Sequence, residues 1–67
     1  MAVAKVTEIS SSSKKSFEDA IEKGIKRAGK TIRNIEGAWV QEQKLVVKKD
    51  KIVEYRVNLK LTFILDD

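Results

Sequence analysis

The chain has 67 residues, with fourteen Lys and Arg against ten Asp and Glu, a net charge of +4, and no Cys, His or Pro. That length allows one domain, spanning 1–67, and buries only about 60% of the surface the unfolded chain exposes, so stability has to be supplemented. Without Cys or His there are no disulfides, no common zinc sites and no Ser-His or Cys-His nucleophile pairs, which leaves oligomerisation as the supplement. No stretch is long and apolar enough to span a membrane, and nothing at the start resembles a signal peptide, so the protein is expected to be cytoplasmic. The basic residues are interspersed with acidic ones and only four aromatics occur, which argues for a solvated surface and against nucleic acid as a partner.

Residues 3–9 predict a short strand with imperfect alternation, and the serine run 10–13 predicts an irregular, polar approach to a helix. Ser16 is placed as the N-cap, with Asp19 three residues on completing a variant capping box. Phe17, Ala20, Ile21, Ile25, Ala28 and Ile32 then recur at helical spacing over about four to five turns, with Lys and Glu on the other faces. Ala20, Gly24 and Ala28 form a stripe without bulk beside the Ile stripe. Because a mid-helix Gly costs about 1 kcal/mol relative to Ala, that stripe implies a close neighbour, either the chain's own sheet or another subunit. Asn34 and Gly37 are read as ending the helical pattern.

A second strand is expected over 38–49. Strict alternation puts Trp39, Gln41, Gln43, Leu45 and Val47 on one face and Ala38, Val40, Glu42, Lys44 and Val46 on the other. The polar run 48–51 predicts the turn of an antiparallel hairpin. The last strand, 52–65, carries the strongest signal in the chain: Tyr55, Val57, Leu59, Leu61, Phe63 and Leu65 alternate with Glu54, Arg56, Asn58, Lys60 and Thr62. Extended, it spans about 45 Å at roughly 3.3 Å per residue, whereas the helix spans about 25 Å at 1.5 Å per residue. Part of the apolar face is therefore expected to be covered from outside the chain. The order is β-α-β-β, an α+β fold.

The strings Lys5-Val6-Thr7-Glu8-Ile9, Ser16-Phe17-Glu18, Arg27-Ala28 leading to Thr31-Ile32-Arg33, and Glu54-Tyr55-Arg56-Val57-Asn58-Leu59-Lys60, in that order, resemble the dodecin family over nearly the whole chain. The resemblance implies a three-stranded antiparallel sheet partly wrapped around one helix and assembled into a hollow homododecamer. It also implies a shell that stores or buffers a small ligand and does not act as an enzyme. Flavin, as riboflavin or FMN, is the family precedent: it stacks in pairs between tryptophans and is contacted by a glutamine of the last strand. Here Gly37 stands in the place of that tryptophan and Arg56 in the place of that glutamine, while Glu42 matches an acidic position facing the ribityl chain. Trp39 lies two residues beyond the expected place, as a displaced platform or as an interface residue. Gly37, Trp39, Glu42 and Arg56 are thus the candidate site. The alternative is a flavin-free assembly of the same type that binds another anion or a metal ion such as calcium, or that is purely structural. Calcium would require carboxylates gathered across subunits, since the chain has no EF-hand spacing.

Overall fold

A computed structural model describes residues 3–65. Its elements are β1 (Ala4–Ser13), α1 (Phe17–Ala28), β2 (Ile35–Lys48) and β3 (Lys51–Ile64). The strands form one antiparallel sheet in the order β1-β3-β2, so the strongly alternating last strand is the central one. From Tyr55 onward the odd-numbered side chains of β3 lie on the helix side. Val57, Leu59 and Leu61 have no exposed surface, and with Ala20 and Ala28 they form the core. Ile9, Ile21, Ile25, Ile32 and Ile35 pack around it. Phe17 meets Tyr55 edge-on, with ring centroids 5.2 Å apart, and closes one end of this core.

The helix starts as the sequence predicts. Ser16 has extended backbone and its hydroxyl accepts a hydrogen bond from the Asp19 amide at 3.0 Å. Asp19 does not reach back to the Ser16 amide in a reciprocal box; its carboxylate accepts from Ser13 Oγ at 2.5 Å and pairs with Lys23 at 3.0 Å, and Ser13 Oγ in turn accepts from the Lys15 amide. The end of β1 is thereby tied to the first turn of α1.

Three expectations are corrected. The serine run is not irregular: all of 10–13 lies in β1, with Ser11 opposite Val57 and Ser13 opposite Tyr55 on the helix side. The helix has only twelve residues and ends at Ala28, where Gly29 caps it with its amide on the Ile25 carbonyl. Thr31 and Ile32 then fold their amides back onto the Ala28 carbonyl, and Asn34, at φ 62°, turns the chain into β2. Gly37 ends nothing; it lies within β2 at ordinary φ. The uncovered surface extends beyond the expected one. The β3 stripe is uncovered in part, as expected, with Leu65 44% exposed beyond the centre that the helix covers, but further apolar surface lies on the β2 side of the sheet and on the hairpin beyond β1. There Val40, Leu45, Val47 and Ile52 are exposed, the last two at 56% and 51%.

The third correction is to the two faces of β2. Directly opposed residues of an antiparallel pair share a face. Ile35 opposes Phe63 but Gly37 opposes Thr62, and Val40 opposes Leu59 but Glu42 opposes Asn58. Glu36 and Gln41 are the extra residues of two β-bulges, and each reverses the phase of the alternation. A third irregularity at Val46/Val47 skips Val53 and brings Val47 opposite Ile52. Gly37, Trp39, Glu42, Lys44 and Val46 accordingly share the face away from the helix, and Ala38, Val40, Gln43 and Leu45 share the helix face. At the hairpin turn Lys49 and Asp50 both take positive φ, the geometry that matches the right-handed twist of the two strands.

The stripe of small residues is explained by distance. A Cβ placed on Gly24 would lie 2.9 Å from Ser11 Cβ and 3.1 Å from Ser11 Oγ. The helix therefore rests directly on the Ser11 side chain of β1, which is small enough to admit it. Gly24→Ala should destabilise the protein even though Ala is the better helix former by about 1 kcal/mol. A lower urea midpoint, restored in part by the double change Gly24→Ala with Ser11→Gly, is the expected result.

Candidate functional site

The sheet face opposite α1 is built of cross-strand rows, each taking one residue from β1, β3 and β2 in turn. Val6, Thr62 and Gly37 form one row; Glu8, Lys60 and Trp39 the next; Ser10, Asn58 and Glu42 the third; Ser12, Arg56 and Lys44 the fourth. Rows on one face are about 6.7 Å apart, two residues along a strand. All four residues singled out in the sequence lie on this face. Strict alternation would have separated Glu42 from Trp39, and the bulge at Gln41 joins them.

The groups in these rows differ in how far they are already satisfied. Glu42 Oε1 accepts a hydrogen bond from Asn58 Nδ2 at 2.8 Å across the strands. Arg56 is paired with Glu54 through Nη2 and Oε2 at 3.1 Å, so its charge is partly offset and is less available to an anion than the sequence alone implies. Lys44 sits directly opposite Arg56, a like-charge cross-strand pair. Glu42, Gln43, Lys44, Arg56 and Asn58 line a shallow depression of about 260 Å³. One row away Trp39 lies open, 59% exposed. Beside it, a Cβ on Gly37 would meet no atom within 4 Å, so that position is vacant space and not a tight approach.

Sequence reasoning missed three members of this surface: Asn58, which orients Glu42; Glu54, which neutralises Arg56; and Lys60, the direct neighbour of Trp39. The even-numbered alternation of β3 places all three on the polar face, but only the register joins them to their partners. Among the described residues no three carboxylates converge as a metal would require, and no helix is long and apolar enough to cross a membrane.

The Glu54 carboxyl is held below its ordinary value of 4.5, first by a hydrogen bond from the Ser12 hydroxyl and then by Arg56, against the opposing effect of burial. A carboxyl whose value is lowered on folding contributes stability that is present above the ordinary value and is lost as pH falls through the folded one. Wild-type protein should therefore lose stability relative to Glu54→Gln as pH drops below 4.5. Urea midpoints of the two proteins, measured from neutral pH down to the acid limb, should converge; parallel curves would show that Glu54 is not engaged.

The profile of the Dodecin family matches residues 3–66. The dodecin from Streptomyces davaonensis is 30% identical, with 98% of this chain and 97% of that one covered and a TM-score of 0.94. The tt0972 protein from Thermus thermophilus is also 30% identical, with coverage of 100% and 98% and a TM-score of 0.93. The calcium dodecin of Mycobacterium tuberculosis, a calcium-chelating antigen with a novel calcium-binding site, is 31% identical, with coverage of 96% and 91% and a TM-score of 0.83. No curated protein sequence matches the chain.

Proposed function

The chain belongs to the dodecin family, and on that footing we propose that it assembles into a cytoplasmic homododecamer whose helix-free sheet faces hold a small ligand with a flat ring, without turning it over. The observation that carries this reading is the gathering of Gly37, Trp39, Glu42 and Arg56 on one face, in consecutive rows of the sheet. Trp39 supplies the stacking surface, displaced by one row from the place left open at Gly37. The Glu42–Asn58 pair supplies hydrogen bonds to a hydroxylated chain, and the Lys44–Arg56 row lies at the far end of that line, where a terminal phosphate would meet Lys44 and an Arg56 whose charge Glu54 partly offsets. FMN and riboflavin fit this order of groups. A stack anchored on Trp39 alone, with Arg56 in place of a neutral amide, is weaker than one built on the usual pair of aromatic and amide groups. Calcium is the less supported ligand here: Glu42 and Glu54 are engaged by Asn58 and Arg56, and a site would have to be completed by carboxylates of other copies.

The need for assembly has its own support. A monomer of 7.6 kDa ordinarily exposes about 4,300 Å², but this chain, extending 51 × 19 × 13 Å, exposes 5285 Å². Val40, Leu45, Val47 and Ile52 make up part of the excess. Sedimentation at micromolar concentration is expected to give the dodecamer mass; a monomer or dimer would refute the assembly. For the ligand, riboflavin is expected to bind at least about ten times more weakly than it does to relatives with the full aromatic and amide pair. Residual binding should depend on Trp39, and Gly37→Trp should tighten it, since a side chain there meets open space. Quenching of flavin fluorescence measures all three. Tight binding that survives Trp39→Ala would overturn the reading.

A further inference from the structure

Lys60 occupies the central strand of the helix-free face, directly opposite Trp39 on one side and Glu8 on the other. It is half-buried, unlike Lys44 and Glu8, which are exposed. The carboxylates nearest in the rows beyond are committed elsewhere, Glu42 to Asn58 and Glu54 to Arg56. Lys60 makes no ion pair or side-chain hydrogen bond among the described residues. Glu8, although opposite, is not within ion-pair distance, and its exposure leaves any attraction to Lys60 screened by water and salt.

Opposed side chains on neighbouring strands start about 5 Å apart at Cβ, so the ammonium group on its flexible stem is within reach of the rim of a ring stacked on Trp39. A neutral ring laid there strips water from a cation, which is costly, and its edge returns at most a hydrogen bond from an uncharged acceptor such as a ring carbonyl. A ring with an anionic group at its edge replaces that water by a charge-assisted hydrogen bond. We propose that Lys60 is the specificity-determining residue of this face, selecting flat aromatic ligands that carry a negative charge on the ring edge over neutral rings of the same shape. This rests on Trp39 being the stacking surface.

Two probes of equal shape separate the effects: 2-naphthoate, with a carboxylate on its ring, and 2-naphthamide, its neutral counterpart. Trp39 is the sole tryptophan, so quenching of its fluorescence reports binding of either probe. Wild-type protein at low salt should bind the carboxylate about fivefold more tightly than the amide, the scale of a partly exposed ion pair. Lys60→Met should abolish that preference and leave the amide no weaker, and Lys60→Arg should keep it. Equal binding of the two probes by wild-type protein, or a preference that survives Lys60→Met, would overturn the role of Lys60 alone. Riboflavin quenching that is unchanged in Trp39→Ala would overturn the stacking surface itself, and the selectivity with it.

Discussion

The separation between α1 and β1 governs the rest of this structure. With Gly24 set against Ser11, the helix sits low over β1 and β3, and at that height Ala20 and Ala28 reach the Val57, Leu59 and Leu61 side chains and exclude water from them. A bulkier stripe on the helix or bulkier side chains on β1 would lift it from the sheet and open a gap over the largest fully buried side chains of the core, since interiors tolerate few voids. The Ser13–Asp19 hydrogen bond fixes one end of the same contact. A helix of twelve residues held in this position cannot also cover β2. The exposed valines and leucine of that strand are thus a consequence of how closely the helix approaches the other two.

The opposite face follows a different logic. It is made of rows that combine charged, polar and aromatic groups, with few internal bonds: Asn58 to Glu42, and Arg56 and Ser12 to Glu54. The central strand supplies a residue to every row, and the β-bulges of β2 determine which of its residues join them. A ligand lying along these rows would touch β2 and the polar half of β3, whose apolar half is the core. Affinity and folding would then depend on neighbouring residues of β3 that point in opposite directions.

How much of this was legible in the sequence depended on whether local pattern and tertiary contact agreed. The alternation of β3 identified its core residues correctly, because β1 pairs with residues 55–64 without a break and the bulges opposite that stretch take their extra residues from β2, not from β3. The N-cap at Ser16 was equally legible, being a contact within three residues. The serine run misled: polar, small side chains suggest a loop, but here their smallness is what lets a helix lie against a strand, and nothing local announces that. The helix end was placed too late because Ile32 continues the apolar spacing while packing on the core from a turn beyond the helix. The faces of β2 were beyond reach from the sequence, since a bulge has no local signal when the extra residues are Glu36 and Gln41. The dodecin resemblance supplied the fold, and the relatives bear it out at TM-scores up to 0.94 over almost the full chain.

The bulge at Gln41 gives this strand an unusual freedom. Because one extra residue reverses the phase, the segment before it and the segment after it are set on the sheet independently of one another. Loss or gain of a single residue there would exchange which side chains of the hairpin lie on the helix-free face and which on the helix face, with β3 and the helix contact left untouched. A family that keeps one scaffold while changing its cargo could do so through insertions and deletions of this kind as readily as through substitution, and two members of similar identity could present quite different surfaces in the same place.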